Sequence, residues 1–251
     1  VYAPDHRGHG QTAGDPEKTG YFADKNGWWK VVEDLHQIIK IAKNENPDQK
    51  VFLLGHSMGS FLSRTYVCKR GPEIQGLILS GTGKNPNIVL SFGRIFAKIV
   101  AKLKGANHRS IALDKLSFEA FNKNYNSPFQ WLSRDKAKVD EYIADPYCGK
   151  VFTPSFFLDL FEGLKYIANI KNLKNIPKDL PIFIVSGDDD PVGNYGKGVK
   201  KVFGLYEKAG LKNLEMKLYE GARHEILNET NREEVYADIL NWLNQKNSHA
   251  K

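Results

Sequence analysis

Three polar features of this chain are the residue types that nucleophilic hydrolysis requires. Ser57 lies in "LLGHSMGS" (53–60), between Gly55 and Gly59. Asp188, Asp189 and Asp190 run together in "SGDDDP" (186–191), and His224 lies in "YEGARHE" (219–225). A serine hydroxyl is a weak nucleophile until a base takes its proton. Histidine can do this near neutral pH, and a carboxylate behind it fixes the tautomer and stabilises the imidazolium. Glycines at 55 and 59 suit a sharp strand-to-helix turn that lifts the serine, and the following Met58 N–H is then placed to meet a developing oxyanion. Asp190 is the expected acid because Pro191 after it favours an extended turn toward the histidine loop. Asp188 and Asp189 read as turn or solvent-facing residues.

The other histidines fit the role of base less well. His36 falls inside a helical pattern, His108 in the middle third and His249 in the tail. His56 adjoins Ser57 at a turn expected to aim it elsewhere. His6 and His9 form an H-x-x-H in a Gly-rich loop, but no Cys or carboxylate set accompanies them at ligand spacing, so no metal is expected. The Asp run lacks the alternating ligands and closing Glu of a calcium loop. No cofactor is expected.

These residues need elements to hold them. "VYAPD" (1–5) reads as a short strand running into a Gly-rich loop. Apolar residues at Trp28, Val31, Val32, Leu35, Ile38, Ile39 and Ala42 have helical spacing, closed by Pro47. "KVFLLG" (50–55) is a continuous apolar run, as in a parallel strand buried on both faces. A helix from Met58 to Gly71 follows, then strands at 74–82, 182–187 and 214–219, with helices ending near Gly210 and Asn244. Strands alternating with helices predict a doubly wound, mostly parallel α/β sheet, on which ligands sit at the carboxyl ends of the strands. Ser57, the Asp run and His224 all fall at such ends.

Residues 84–178 interrupt this alternation without a convincing strand. Apolar helical stretches at 88–103 and 154–170, and a charged one near 134–144, predict an inserted helical cap. The domains are therefore read as a core of 1–83 and 179–251 and a cap of 84–178. Phe92, Ile95, Phe96, Ile99, Phe156, Phe157, Leu160 and Phe161 are candidates to line an acyl slot, with Phe92, Phe96, Phe156 and Phe157 foremost; packing of cap helices onto the sheet explains the same pattern.

The 251 residues carry a formal charge of +7, mostly from scattered lysines. No clustered basic stripe or nucleic-acid motif is present, so nucleic acid is not expected as a partner; a solvated lysine-rich surface is the first reading of the charge, and weak contact with an anionic lipid surface is the second. No apolar run reaches the roughly 18–20 residues of a membrane-spanning helix. Cys68 and Cys148 lie far apart in the sequence, outside any metal or redox motif, which fits a cytoplasmic location.

Serine, then acid, then histidine is the chain order of the α/β-hydrolase triad. "DHRGHGQT" (5–12), "GHSMGS" (55–60), "SGDDDPVGNYG" (186–196) and "YEGARHEILNE" (219–229) resemble the branch of that superfamily holding monoacylglycerol lipases, bacterial lysophospholipases and serine aminopeptidases. "DPYCGKVFTPSFF" (145–157) is similar to lysophospholipase-like members. The resemblance implies the α/β-hydrolase fold, with Ser57 as nucleophile, Asp190 as acid, His224 as base and Met58 N–H as an oxyanion donor. It implies ester hydrolysis through an acyl-enzyme, with a lipid ester such as a monoacylglycerol or lysophospholipid as substrate. An aminopeptidase or amidase, with the cap acids Glu119, Asp135, Asp140, Glu141, Asp159 and Glu162 expected in solvent, is the second reading; a non-catalytic binding protein is the third. Ser57 argues against dehalogenase chemistry, which uses an Asp nucleophile on this fold. The family's "HG" loop, which supplies a second oxyanion donor upstream of "DHRGHG", has no counterpart here. The expectation is a chain short of its first strands and of that donor, whose loss costs about 2.7–4 kcal/mol in the transition state.

Overall fold

The computed structural model describes residues 1–84 and 86–248; His249 lies outside them. Four parallel strands form one sheet in the order β1 (Phe52–His56), β2 (Gly76–Ser80), β3 (Ile182–Gly187) and β4 (Leu214–Tyr219). The register is Leu54 opposite Ile78, Ile78 opposite Phe183 and Phe183 opposite Glu215. Successive side chains on a strand point to opposite faces, and the sequence exploits this. Leu77, Leu79, Ile182 and Ile184 join a core with α1 (Gly27–Glu45), α2 (Met58–Arg70) and α8 (Lys197–Ala209). Ile78, Phe183 and Val185 face the other way, onto Val235, Ile239 and Trp242 of α9 (Arg232–Ser248). Helices thus cover both faces of the sheet.

Between β2 and β3, the chain makes α3 (Asn87–Lys104), α4 (Ile111–Phe118), α5 (Lys136–Ala144), α6 (Pro154–Ala168) and the single turn α7 (Ile170–Leu173), with no strand among the described residues. α3 and α6 pack closely because Gly93 leaves space: a Cβ there would lie 2.8 Å from the Phe161 ring. Thr153 Oγ1 caps α6 by accepting from Phe156 N, and Pro154 at the first helical position needs no amide partner.

Two strand expectations are corrected. "VYAPD" forms no strand; residues 1–5 are exposed and have no regular secondary structure. β1 is not buried on both faces, since Leu54 is 42% exposed. Both follow from the ladder: among the described residues β1 pairs only with β2, so its outer edge has no strand, and a segment with no neighbour cannot form a sheet.

Candidate active site

The turn from β1 to α2 sets Ser57 at φ 52°, ψ −120°. This left-handed conformation is strained for a residue with a Cβ. Ser57 N donates to Ser80 O at 2.9 Å, and Ser57 O accepts from Ser60 N at 2.9 Å and Ser60 Oγ at 2.6 Å. Gly55 is required on steric grounds, because a Cβ would lie 2.4 Å from Gly59 O and 2.5 Å from Ser63 Oγ. Gly59 is not: its nearest neighbour would be His6 Nε2 at 3.8 Å, ordinary contact, so of the two glycines read as suiting the turn only Gly55 is needed for space. Met58 is the first residue of α2, where a backbone N–H has no intrahelical acceptor.

Asp190 is fully buried after β3. Its Oδ2 accepts from His224 Nδ1 at 3.0 Å and Ser186 Oγ at 3.2 Å, and its Oδ1 from Val192 N at 2.8 Å. Burial pushes this carboxyl up, but the His224 charge and these bonds outweigh it and hold the carboxyl below its ordinary value. The neighbouring aspartates serve the loops: Asp188 Oδ1 accepts from Gly221 N, and Asp189 Oδ2 accepts from Tyr125 OH.

His224 is 2% exposed. Its ring packs 5.1 Å from that of Trp131 and 4.7 Å from that of His56. His56 is therefore closer to the site than its place at a turn suggested. Its Nδ1 lies 3.0 Å from Ser80 Oγ, and burial, followed by the His224 charge, pushes its pKa down to about 3. It stays neutral throughout the working range. His36, by contrast, lies far off against Glu73, 2.9 Å from Oε2.

Ser57, His56 and Met58 line a cavity of about 1470 Å³. Of the cap residues expected there, Phe92, Phe96, Phe156, Leu160 and Phe161 do line it. Phe157 does not: it is buried against Phe118 and Phe161 in the core. Ile95 and Ile99 face outward from α3. Sequence reasoning missed Phe118, Phe121, Trp131 and Phe152, which lie in or beside short elements without a clear period. His6 and His9 also line the cavity, and burial pushes both pKa values down; His9 packs 5.6 Å from the rings of both Phe22 and Phe152. Among the described residues, no group of three His, Cys, Asp or Glu side chains is arranged to hold a metal.

Among the described residues, no Asp or Glu lines the cavity. The cap acids are used elsewhere. Asp135 caps α5 and pairs with Arg232, Glu162 accepts from Trp29 Nε1, and Asp140 and Glu141 pair with lysines of their own helix. Asp159 is buried rather than solvated, with its carboxylate at the N-terminus of α1. Burial pushes its pKa up to about 6, against the lowering effect of hydrogen bonds from the Trp28 and Gly27 N–H groups.

The profile of the family described as serine aminopeptidase, S33, matches residues 1–231. The chain is 28% identical over 246 residues to the monoacylglycerol lipase of Mycolicibacterium smegmatis, covering 97% of this chain and 77% of that protein. It is 27% identical over 258 residues to human monoglyceride lipase, covering 100% and 75%. Among solved structures, a highly thermostable carboxyl esterase from Bacillus coagulans, in complex with glycerol, has a TM-score of 0.88 at 30% identity, covering 96% of this chain and 79% of that one.

Proposed function

The chain belongs to the serine aminopeptidase, S33, family of α/β-hydrolases, and from that membership we propose that it hydrolyses carboxylic esters of single-chain lipids, monoacylglycerols foremost. The observation that supports this is the buried His224–Asp190 hydrogen bond of 3.0 Å, with the His224 ring 4.7 Å from that of His56, whose neighbour Ser57 makes the strained turn at the wall of a largely apolar cavity. In this reading, Ser57 Oγ attacks the ester carbonyl as His224 Nε2 accepts its proton. Asp190 holds the Nδ1 proton and stabilises the imidazolium. Met58 N–H faces the oxyanion. His224 then returns the proton to the departing alcohol, and a water activated by the same imidazole cleaves the acyl-enzyme.

The residues 84–178 serve as the cap, whose Phe96, Phe156 and Phe161 give an acyl chain an apolar wall. The M. smegmatis and human relatives are named for monoacylglycerol hydrolysis, which supports this substrate class. The absence of a carboxylate from the described cavity lining weighs against an aminopeptidase, which needs one to hold a free ammonium. A lipid surface fits the exposed side of α3. There Ile88, Val89, Phe92, Ile95, Ile99 and Leu103 are all exposed, with Lys98, Lys102 and Lys104 alongside to meet anionic headgroups. Among the described residues, no helix is long and apolar enough to cross a membrane. Cys68 and Cys148 are free thiols, consistent with a reducing, cytoplasmic setting.

The test is hydrolysis of p-nitrophenyl esters of graded length and of monoacylglycerol dispersions, beside Ser57→Ala. Activity in the parent chain that Ser57→Ala abolishes is the expected result. Equal activity in the two, or an inert parent chain that also fails to react with a fluorophosphonate, overturns the reading. Faster cleavage of aminoacyl-naphthylamides than of esters would favour the aminopeptidase.

A further inference from the structure

Glu229 is a fully buried carboxylate outside the Ser57–His224–Asp190 set. It follows the short 3-10 turn Ile226–Asn228 on the loop that carries His224. Five donors meet its two oxygens. Oε1 accepts from Arg134 N at 2.9 Å and Arg223 N at 3.0 Å; Oε2 accepts from Arg134 Nε at 2.9 Å, Thr230 N at 2.9 Å and, more loosely, Thr230 Oγ1 at 3.4 Å. Burial pushes this carboxyl up, yet the four N–H contacts outweigh it and keep the pKa below its ordinary value. Each oxygen thus faces at least two N–H donors, so only a carboxylate satisfies the site. An amide nitrogen at either position would point its own hydrogens at two N–H groups.

Two of the residues so held matter for the base. Arg223 immediately precedes His224, and Arg134 lies near the end of the cap segment that packs on it. That segment, residues 125–135, is fastened to the histidine loop along its length. His224 N donates to Trp131 O at 3.3 Å, and Glu225 N donates to Leu132 O at 2.7 Å. Arg223 Nη1 donates to Gln130 O at 2.7 Å and to Ser133 O at 3.1 Å, while Ser133 Oγ donates to Asn228 O at 2.9 Å. The result is the Trp131 ring held 5.1 Å from the imidazole and tilted 40° to it.

We propose that Glu229 is a positioning residue for His224. By binding the Arg223 and Arg134 amides to one carboxylate, it locks cap segment 125–135 onto the base loop and so fixes the imidazole against Asp190 and Trp131. The inference rests on the reading of His224 as general base. It makes the cap part of the base's mounting as well as the substrate's wall.

The experiment compares the parent chain with Glu229→Gln, Arg134→Met and Arg134→Lys on a short soluble p-nitrophenyl ester, well below the unfolding temperature of each. It also measures the rate at which a fluorophosphonate labels Ser57. Glu229→Gln is expected to lower kcat at least 30-fold with KM within about twofold, and to slow labelling in step. Arg134→Met keeps the three backbone donors and is expected to lose about three- to tenfold in kcat; Arg134→Lys restores part of it. A folded Glu229→Gln with a lowered Tm but unchanged kcat and labelling rate would show a purely structural role and overturn the proposal. Should Glu229→Gln fail to fold, unchanged kcat in Arg134→Met overturns it equally. A parent chain that neither labels nor turns over refutes the Ser57–His224 chemistry itself, which separates the two failures.

Discussion

Replacing Asp190 by Asn removes one charge and almost no volume, at the most enclosed polar position of the site. Val192 N donates to Asp190 Oδ1 at 2.8 Å, so the carbonyl oxygen of the new amide keeps that place. Its NH2 group then stands where Oδ2 met His224 Nδ1 at 3.0 Å. Facing a donor, Nδ1 must act as acceptor, and the ring proton moves to Nε2. There it occupies the lone pair needed to receive a proton from Ser57. The imidazolium also loses its counter-charge. At 3.0 Å and an effective dielectric of about 20, that pair is worth roughly 5.5 kcal/mol. At 1.36 kcal/mol per decade, the loss is about four orders of magnitude in kcat/KM. The assay is initial-rate hydrolysis of a p-nitrophenyl ester, with circular dichroism to confirm the fold and Tm expected within a few degrees of the parent. A folded Asp190→Asn that loses less than about 30-fold would refute Asp190 as the partner of the base.

Three further outcomes are expected. Gly55→Ala drives a Cβ to within 2.4 Å of Gly59 O and should destabilise by about 1–3 kcal/mol or more, whereas Gly59→Ala, whose Cβ has room inside α2, should gain up to about 1 kcal/mol of helix propensity; denaturant titration separates the two. For Asp159, a pKa of about 6 against an unfolded value of 3.8 means that the folded chain holds a proton between pH 4 and 6 that the unfolded chain has released. Its contribution to stability therefore falls as pH rises through that window, by at most about 3 kcal/mol. The Tm gap between Asp159→Asn and the parent should widen in the variant's favour from pH 4 to pH 7, and a constant gap would refute this. Ile95→Ser removes an apolar side chain that is 55% exposed and faces away from the cavity, so Tm should hold while activity on anionic lipid dispersions falls and activity on a soluble ester does not.

What was legible in the sequence was what local pattern determines. Ile182–Gly187 and Gly76–Ser80 read as buried strands because every residue of each is buried, and the helix read from Gly27 closes within a residue of its expected end. Misreadings arose where a distant partner decides. "VYAPD" has the composition of a strand but no neighbour in the ladder, and Leu54 has the composition of a core residue but lies on the strand with the open edge. Phe156 and Phe157 are adjacent on α6 and both belong to the core, but only Phe156 also reaches the cavity wall; helical spacing alone does not say which. The bonds from Trp131 and Leu132 to the histidine loop join residues about 93 apart through backbone atoms, and leave no trace in side-chain type.

The conformation of Ser57 has a thermal consequence. A residue with a Cβ held at φ 52° stores on the order of 1–3 kcal/mol, from a total stability that for a protein of ordinary stability is only about 5–15 kcal/mol. Its surroundings sustain that tension through few bonds, chiefly Ser80 O on one side and the first turn of α2 on the other. Glycine adopts this conformation without that strain, so Ser57→Gly should melt at a higher temperature than the parent chain, and the gap between the two measures the stability forgone to present the hydroxyl.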